Sequence, residues 1–120
     1  MKNVLVTGGG GFIGSHLVTH LRSCGYKVRG VDLKRPDFGK SDAHEFKVLD
    51  LRTWGNSVEA CNGIDWVFDL AADMGGIGYI HAKHADIADN NNLISNHMIK
   101  AARICGVQRY LFTSSACIYP

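Results

Sequence analysis

The stretch TGGGGFIGSHL, from Thr7 to Leu17, constrains this chain more than any other. Four successive glycines end a short apolar run, Lys2–Thr7 (KNVLVT), whose alternate residues are apolar on both faces, as in a strand covered on two sides. A helical pattern then runs from Phe12 to Cys24 through Ile13, Leu17 and Leu21, with Gly25 as its stop. Gly8, Gly11 and Gly14 fit G-x-x-G-x-x-G between strand and helix. That spacing suits a chain that turns sharply and brings backbone N–H groups against a pyrophosphate with no Cβ between them. Gly14 lets the helix pack close, and the helix N-terminus faces the anion. A glycine-rich turn without a ligand shares the pattern, so the loop needs a second feature. Asp32 supplies it, 24 positions beyond Gly8 at the end of the next apolar run, Tyr26–Asp32. Its carboxylate can accept hydrogen bonds from the hydroxyls of an adenosine ribose. A carboxylate there repels a 2′-phosphate, which favours NAD, while Lys34 and Arg35 nearby keep NADP open.

Three further strands are predicted at Glu45–Asp50 (EFKVLD), Asp65–Ala71 (DWVFDLA) and Val107–Ser114 (VQRYLFTS). Thr53 can cap a short helix ending near Gly63. A long helix spans about Ala85 to Cys105, with Ile87, Ile94, Met98, Ala101 and Cys105 on one face and Gly106 as its stop. Alternating elements in this order call for a mostly parallel sheet with helices on both faces, a doubly wound three-layer α/β/α fold. With 120 residues, 46% of them apolar, the chain has room for one domain. A net charge of +2 gives no reason to expect a nucleic-acid or membrane-surface partner. No apolar run approaches the roughly 18 residues of a membrane span, and the apolar start is too short for a signal peptide. Cys24, Cys61, Cys105 and Cys117 form no CxxC and read as reduced thiols of a cytoplasmic protein, a disulfide framework being the alternative. His16 with His20, and His81 with His84, lack a third ligand, so no metal site is expected.

Several further motifs extend the pattern. Asp50-Leu51 follow the third strand, DLAA (Asp69–Ala72) ends the fourth, Asn91 lies on the long helix, and SSACIYP follows the fifth strand. Together with TGGGGFIG they resemble the extended short-chain dehydrogenase/reductase family, the NAD-dependent epimerases and dehydratases, from end to end. LAADMGGIGYI and SSACIYP are similar to its GDP-mannose 3,5-epimerase branch. Asp69 departs from the family's asparagine in N-x-A-A, and His97 from an asparagine of the long helix.

The resemblance implies a Rossmann-type fold, incomplete at its C-terminal side, and a cofactor site. NAD would be held by Gly8, Gly11, Phe12, Ile13, Gly14, Asp32, Asp50, Leu51, Leu70, Ala71, Ala72 and Asn91. It implies a nucleotide-sugar substrate of the GDP-mannose type, contacted by Gly75, Gly76, Ser115, Ala116 and Cys117. In such epimerases C4 of the sugar is oxidised, the protons at C3 and C5 are exchanged, and C4 is reduced again. Cys117 would be one member of the acid/base pair, and Ser115 would bond the reacting hydroxyl. Tyr79–Lys83 spells the family's Y-x-x-x-K, but it precedes the serine strand instead of following it, so it is not the catalytic pair. The catalytic Y-x-x-x-K, the opposing acid and the substrate domain are then expected beyond Pro120, leaving this chain inactive by itself. The family is commonly dimeric, which makes a homodimer the expected association. An unpaired edge at the fifth strand, with uncovered apolar surface, points the same way. The alternatives are a 4-epimerase or 4,6-dehydratase of the same family, or a non-catalytic NAD-binding module.

Overall fold

The computed structural model describes residues 1–36, 39–71 and 84–113, residues 84–90 by their backbone alone. Asn3–Thr7 (β1) leads into Phe12–Ser23 (α1), followed by Lys27–Asp32 (β2), Glu45–Val48 (β3), Trp54–Cys61 (α2), Trp66–Asp69 (β4), His84–Ile104 (α3) and Arg109–Phe112 (β5). The strands form one parallel sheet in the order β3-β2-β1-β4-β5. Every element anticipated from the sequence is present among the described residues, and several are shorter than expected. Leu49, Leu70 and Gln108 lie just outside their strands, their amides bonded to the carbonyls of Asp32, Thr7 and Asp65 across the ends of the ladders. Thr53 stands at the N-cap of α2, but its side chain makes no capping bond. Its backbone carbonyl receives the Asn56 and Ser57 amides instead.

Central position explains the composition of β1. Val4 and Val6 face α1 and pack with Val18 and Leu21 of that helix and Val28 of β2. Leu5 faces the opposite way, into a larger cluster with Val31, Val67, Ala60 and Cys61 of α2, and Met98 and Ala101 of α3. A strand buried on both faces has no polar side to alternate with, hence KNVLVT. Burying each large aliphatic side chain stabilises the fold by about 1.5–3 kcal/mol. One helix thus covers one face and two cover the other, giving three layers. At the far edge, β5 leaves Leu111 54% and Phe112 52% exposed. Among the described residues no helix is long and apolar enough to cross a membrane.

This topology places a crevice. From β1 the chain passes through α1 to β2 on one side, while β4 pairs with β1 on the other. The helix after β1 packs on one face of the sheet and the helix after β4 on the other, and the gap between β1 and β4 lies at the C-terminal strand ends, where open α/β sheets receive ligands.

Candidate functional site at the crevice between β1 and β4

The loop after β1 is shaped by backbone against backbone. Gly8 has φ +69°, a left-handed conformation, and a Cβ there would stand 3.0 Å from the carbonyl of Leu70 at the exit of β4. A Cβ on Gly14 would collide with the Gly8 carbonyl oxygen and lie 3.0 Å from Gly9 Cα, so α1 rests directly on the loop. The Gly11 amide closes the turn onto the Gly8 carbonyl at 3.1 Å. Gly10 is equally constrained, since its Cβ would meet the Lys34 carbonyl oxygen at 2.6 Å. The motif treats that position as variable, so its spacing gave no sign of the constraint.

Gly11 differs from the others. The nearest atom to a Cβ there is the Gly8 carbonyl oxygen at 3.4 Å, an ordinary contact. Among the described residues nothing requires glycine at that position. It is also the N-cap of α1, with no side-chain cap and no acidic residue in the first turn. The partial positive charge of the helix end is left for an anion to meet. Beside it Phe12 is 72% and Ile13 68% exposed, two large apolar side chains turned outward at the mouth of the crevice.

Asp32, at the end of β2, binds the same loop. Its Oδ2 accepts the Gly10 amide at 2.9 Å and its Oδ1 the Leu33 amide at 2.6 Å. A carboxylate has about four acceptor positions, so two backbone bonds orient it and leave capacity for a diol. Asp50 and Leu51 form the turn after β3. The Arg52 guanidinium closes on Asp50 at 2.6–3.1 Å and holds its carboxyl below the usual carboxylate range. Leu51 is buried, and its carbonyl accepts the Ser57 hydroxyl at 3.0 Å and the His97 Nδ1–H at 3.2 Å. The His97 ring also meets Trp54 edge-on at 5.6 Å. The histidine that departs from the family pattern thus fastens α3 to this turn. Asn91 is half-buried on α3, one turn before Ile94.

On the opposite wall Asp69 ends β4, 2% exposed. Its Oδ1 accepts the Thr7 hydroxyl at 2.7 Å and its Oδ2 the Tyr110 hydroxyl. Thr7 Oγ1 in turn accepts the Leu70 and Ala71 amides at 3.1 and 3.0 Å. Burial raises the Asp69 carboxyl above its ordinary value, against the pull of its hydroxyl donors. Burial and the facing carboxylate push the Tyr110 hydroxyl far up, which keeps it a donor. Behind them the fully buried Cys61 thiol is pushed up to about 12, first by burial and then by Cys105 and Asp69, so it is inert. Sequence reasoning registered Asp69 as a departure and missed Thr7 and Tyr110 altogether.

Ala72, Gly75, Gly76, Ser115, Ala116 and Cys117 lie outside the described residues, as does Tyr79–Lys83. The strands that lead to them do not. Thr7 is paired with Asp69, and Asp69 with Phe112, so β1, β4 and β5 end level on the same edge of the sheet.

Comparison with known proteins agrees with this geometry. Residues 4–120 match the NAD dependent epimerase/dehydratase family. The chain is 48% identical over 119 residues to GDP-mannose 3,5-epimerase 1 of Oryza sativa subsp. japonica, covering 98% of this chain and 32% of that protein. It is 45% identical over 119 residues to GDP-mannose 3,5-epimerase of Arabidopsis thaliana, with the same coverage. Among solved structures, MoeE5 in complex with UDP-glucose and NAD superposes with a TM-score of 0.83 at 34% identity, over 98% of this chain and 38% of that one. The chain spans about a third of the length of the curated relatives it matches.

Proposed function

The chain belongs to the NAD dependent epimerase/dehydratase family, and from that premise we propose that its crevice holds NAD for a GDP-mannose 3,5-epimerase. The observation that carries the cofactor half is Gly11. Alone among the tight-loop glycines its Cβ would meet nothing closer than 3.4 Å among the described residues, and it stands at a helix N-terminus without a side-chain cap, where a Cβ would fill the path of a pyrophosphate. In this reading the loop amides and the α1 N-terminus bind the pyrophosphate, and Asp32 accepts the adenosine ribose hydroxyls. Phe12 and Ile13 cover the dinucleotide, and the Asp50–Leu51 turn meets the adenine. Leu70, Ala71, Ala72 and Asn91 border the nicotinamide end. Bound NAD would supply reversible hydride removal at C4 of the sugar.

The sugar half of the reading rests on the relatives' identity and on the motifs after β4 and β5. Gly75 and Gly76 let the backbone pass close to the sugar. Ser115 bonds the reacting hydroxyl, the Ala116 backbone borders the sugar, and the Cys117 thiol exchanges a ring proton as one member of an acid/base pair. The hydride-step tyrosine, the opposing acid and the sugar-binding domain belong, in this reading, to the part of the longer relatives that this chain does not match. We read the protein as cytoplasmic and the working enzyme as a homodimer. The three described cysteines, all free thiols, fit a reducing compartment.

Calorimetric titration of the chain with NAD and NADP tests the cofactor, with NAD expected to bind and NADP to be rejected by Asp32. The sugar step is tested on the whole gene product with GDP-mannose in D₂O. A 3,5-epimerase places solvent deuterium at C3 and C5. A turnover product free of carbon-bound deuterium assigns the protein to 4-epimerase chemistry instead.

A further inference from the structure

The Asp69 network crosses three neighbouring strands and ends on the wall of the crevice. Besides the two hydroxyls on its carboxylate, the Asp69 backbone carbonyl accepts the Thr113 amide at 3.3 Å and the Thr113 hydroxyl at 3.2 Å. One residue of β4 therefore gathers Thr7 at the end of β1, Tyr110 within β5 and Thr113 just beyond it. The direction of the Thr7 bond is forced. Thr7 Oγ1 already accepts two amides, so its single proton can go only to Asp69 Oδ1. Oδ1 is then always an acceptor, and any proton on the carboxyl sits on Oδ2, toward Tyr110.

Cementing a core does not call for this arrangement. A buried carboxylate is costly to desolvate, and apolar groups of similar volume are often at least as stabilising. What the carboxylate adds is orientation. It fixes the Thr7 hydroxyl, which fixes the Leu70 and Ala71 amides, and the Leu70 carbonyl carbon stands 3.0 Å from where a Gly8 Cβ would be. The exit of β4 and the glycine loop are thereby held at one spacing. An error there would displace the two walls of the crevice relative to each other.

The geometry points to Tyr110 and Asp69 as positioning residues for the dinucleotide, acting through Thr7 on the Leu70–Ala71 backbone. This rests on the reading of the crevice as an NAD site. Neither residue touches the ligand. The pair tunes affinity by holding the wall, and through Thr113 it ties the exit of β5 to the same frame.

The test is NAD affinity by calorimetry, measured well below the unfolding midpoint of each variant, with that midpoint recorded alongside. Tyr110→Phe leaves Asp69 Oδ2 without its donor and is expected to weaken NAD on the order of tenfold. Thr7→Val removes the last link and weakens NAD at least as much. Because both act on one chain of bonds, the double variant is expected to bind no worse than Thr7→Val alone. Asp69→Asn keeps an acceptor for Thr7 and offers an N–H to the Tyr110 oxygen, so it stays within about threefold of the parent. Should Tyr110→Phe fail to fold, Thr7→Ser and Thr7→Val decide the matter. The serine keeps the hydroxyl and most of the affinity, the valine loses it, and equal affinities overturn the inference. Parent-like NAD affinity in a Tyr110→Phe protein whose midpoint has dropped shows a purely structural pair and overturns it too, as do fully additive losses in the double variant. A parent chain that binds no NAD overturns the reading of the crevice, and this inference with it. Binding by the parent with no response to Tyr110→Phe overturns this inference alone.

Discussion

The two walls of the crevice are built by different physics. After β1 the shape is steric, with four glycines packed so tightly that a single Cβ meets backbone. After β4 the shape is polar, with a buried carboxylate holding two hydroxyls and, through one of them, two amides. A steric wall fails by collision and does so whatever the pH. A polar wall fails when a donor or acceptor is left unpaired, and it responds to protonation. Substitutions at each wall separate the two, and their effects on stability should fall in a definite order.

Gly14→Ala should have the largest effect. In an exposed helix that change gains about 1 kcal/mol. Here the new methyl meets the Gly8 carbonyl and Gly9 Cα, backbone that cannot move without opening the loop. The expected loss is about 4 kcal/mol, above the usual range for overpacking, and a large part of the stability of a domain this size. Thermal unfolding followed by circular dichroism checks it. A Gly14→Ala protein that melts with the parent would show that the loop yields and that its wall is not steric.

Asp69→Ala comes second. The buried Thr7 hydroxyl and the half-buried Tyr110 hydroxyl lose their acceptors, at roughly 1–3 kcal/mol each, offset by no longer desolvating a carboxylate. The net loss should be about 2 kcal/mol in a urea titration. A gain in stability would mean that the network is a burden on the fold, retained for orientation alone.

How far the two walls could be read from sequence follows from the same physics. Steric constraints between close neighbours leave glycines in a row, and those on Gly8 and Gly14 were legible because strand, turn and helix lie within one βαβ unit. Gly10 was not, because its collision is with the Lys34 carbonyl, supplied by the chain after β2. The Asp69 network was illegible for a stronger reason. Its partners lie 62 and 41 positions away, and Thr7 and Tyr110 each look like an ordinary strand residue until the strand order sets them side by side. His97 bonding to the Leu51 carbonyl, 46 positions off, was hidden in the same way. Helices and strands were anticipated nearly in full, because amphipathic periodicity is local, and only their frayed ends differed.

The third prediction uses protonation to sharpen the contrast. Burial raises the Asp69 carboxyl above the unfolded value of 3.8, so the folded state holds this proton more tightly than the unfolded one. The resulting stabilisation is full below pH 3.8 and is lost as pH rises through the folded value. Asp50, held down by Arg52, works in the opposite direction but is common to both proteins when parent and Asp69→Asn are compared. The parent's melting temperature relative to Asp69→Asn should therefore fall as pH is raised from about 4 toward neutrality. A difference that stays flat, or that grows with pH, would show a carboxyl already ionised without cost, and the polar wall would then be no more pH-sensitive than the steric one.

Gly11→Ala should have the smallest effect on stability, within about 0.5 kcal/mol, since the new Cβ finds only the Gly8 carbonyl oxygen at 3.4 Å. It is also the most informative change, because it separates glycine demanded by the fold from glycine demanded by a ligand. Its three neighbours and Gly14 are small for the sake of the chain itself. If the loop cradles a pyrophosphate, the methyl stands between the α1 N-terminus and the phosphate oxygens. NAD affinity should then drop by an order of magnitude or more while the melting curve stays in place. A Gly11→Ala protein that binds NAD as the parent does would place the pyrophosphate elsewhere, and the room for a Cβ at Gly11 would be only a feature of the turn. The steric wall would then serve the fold alone, and the dinucleotide would depend on the polar one.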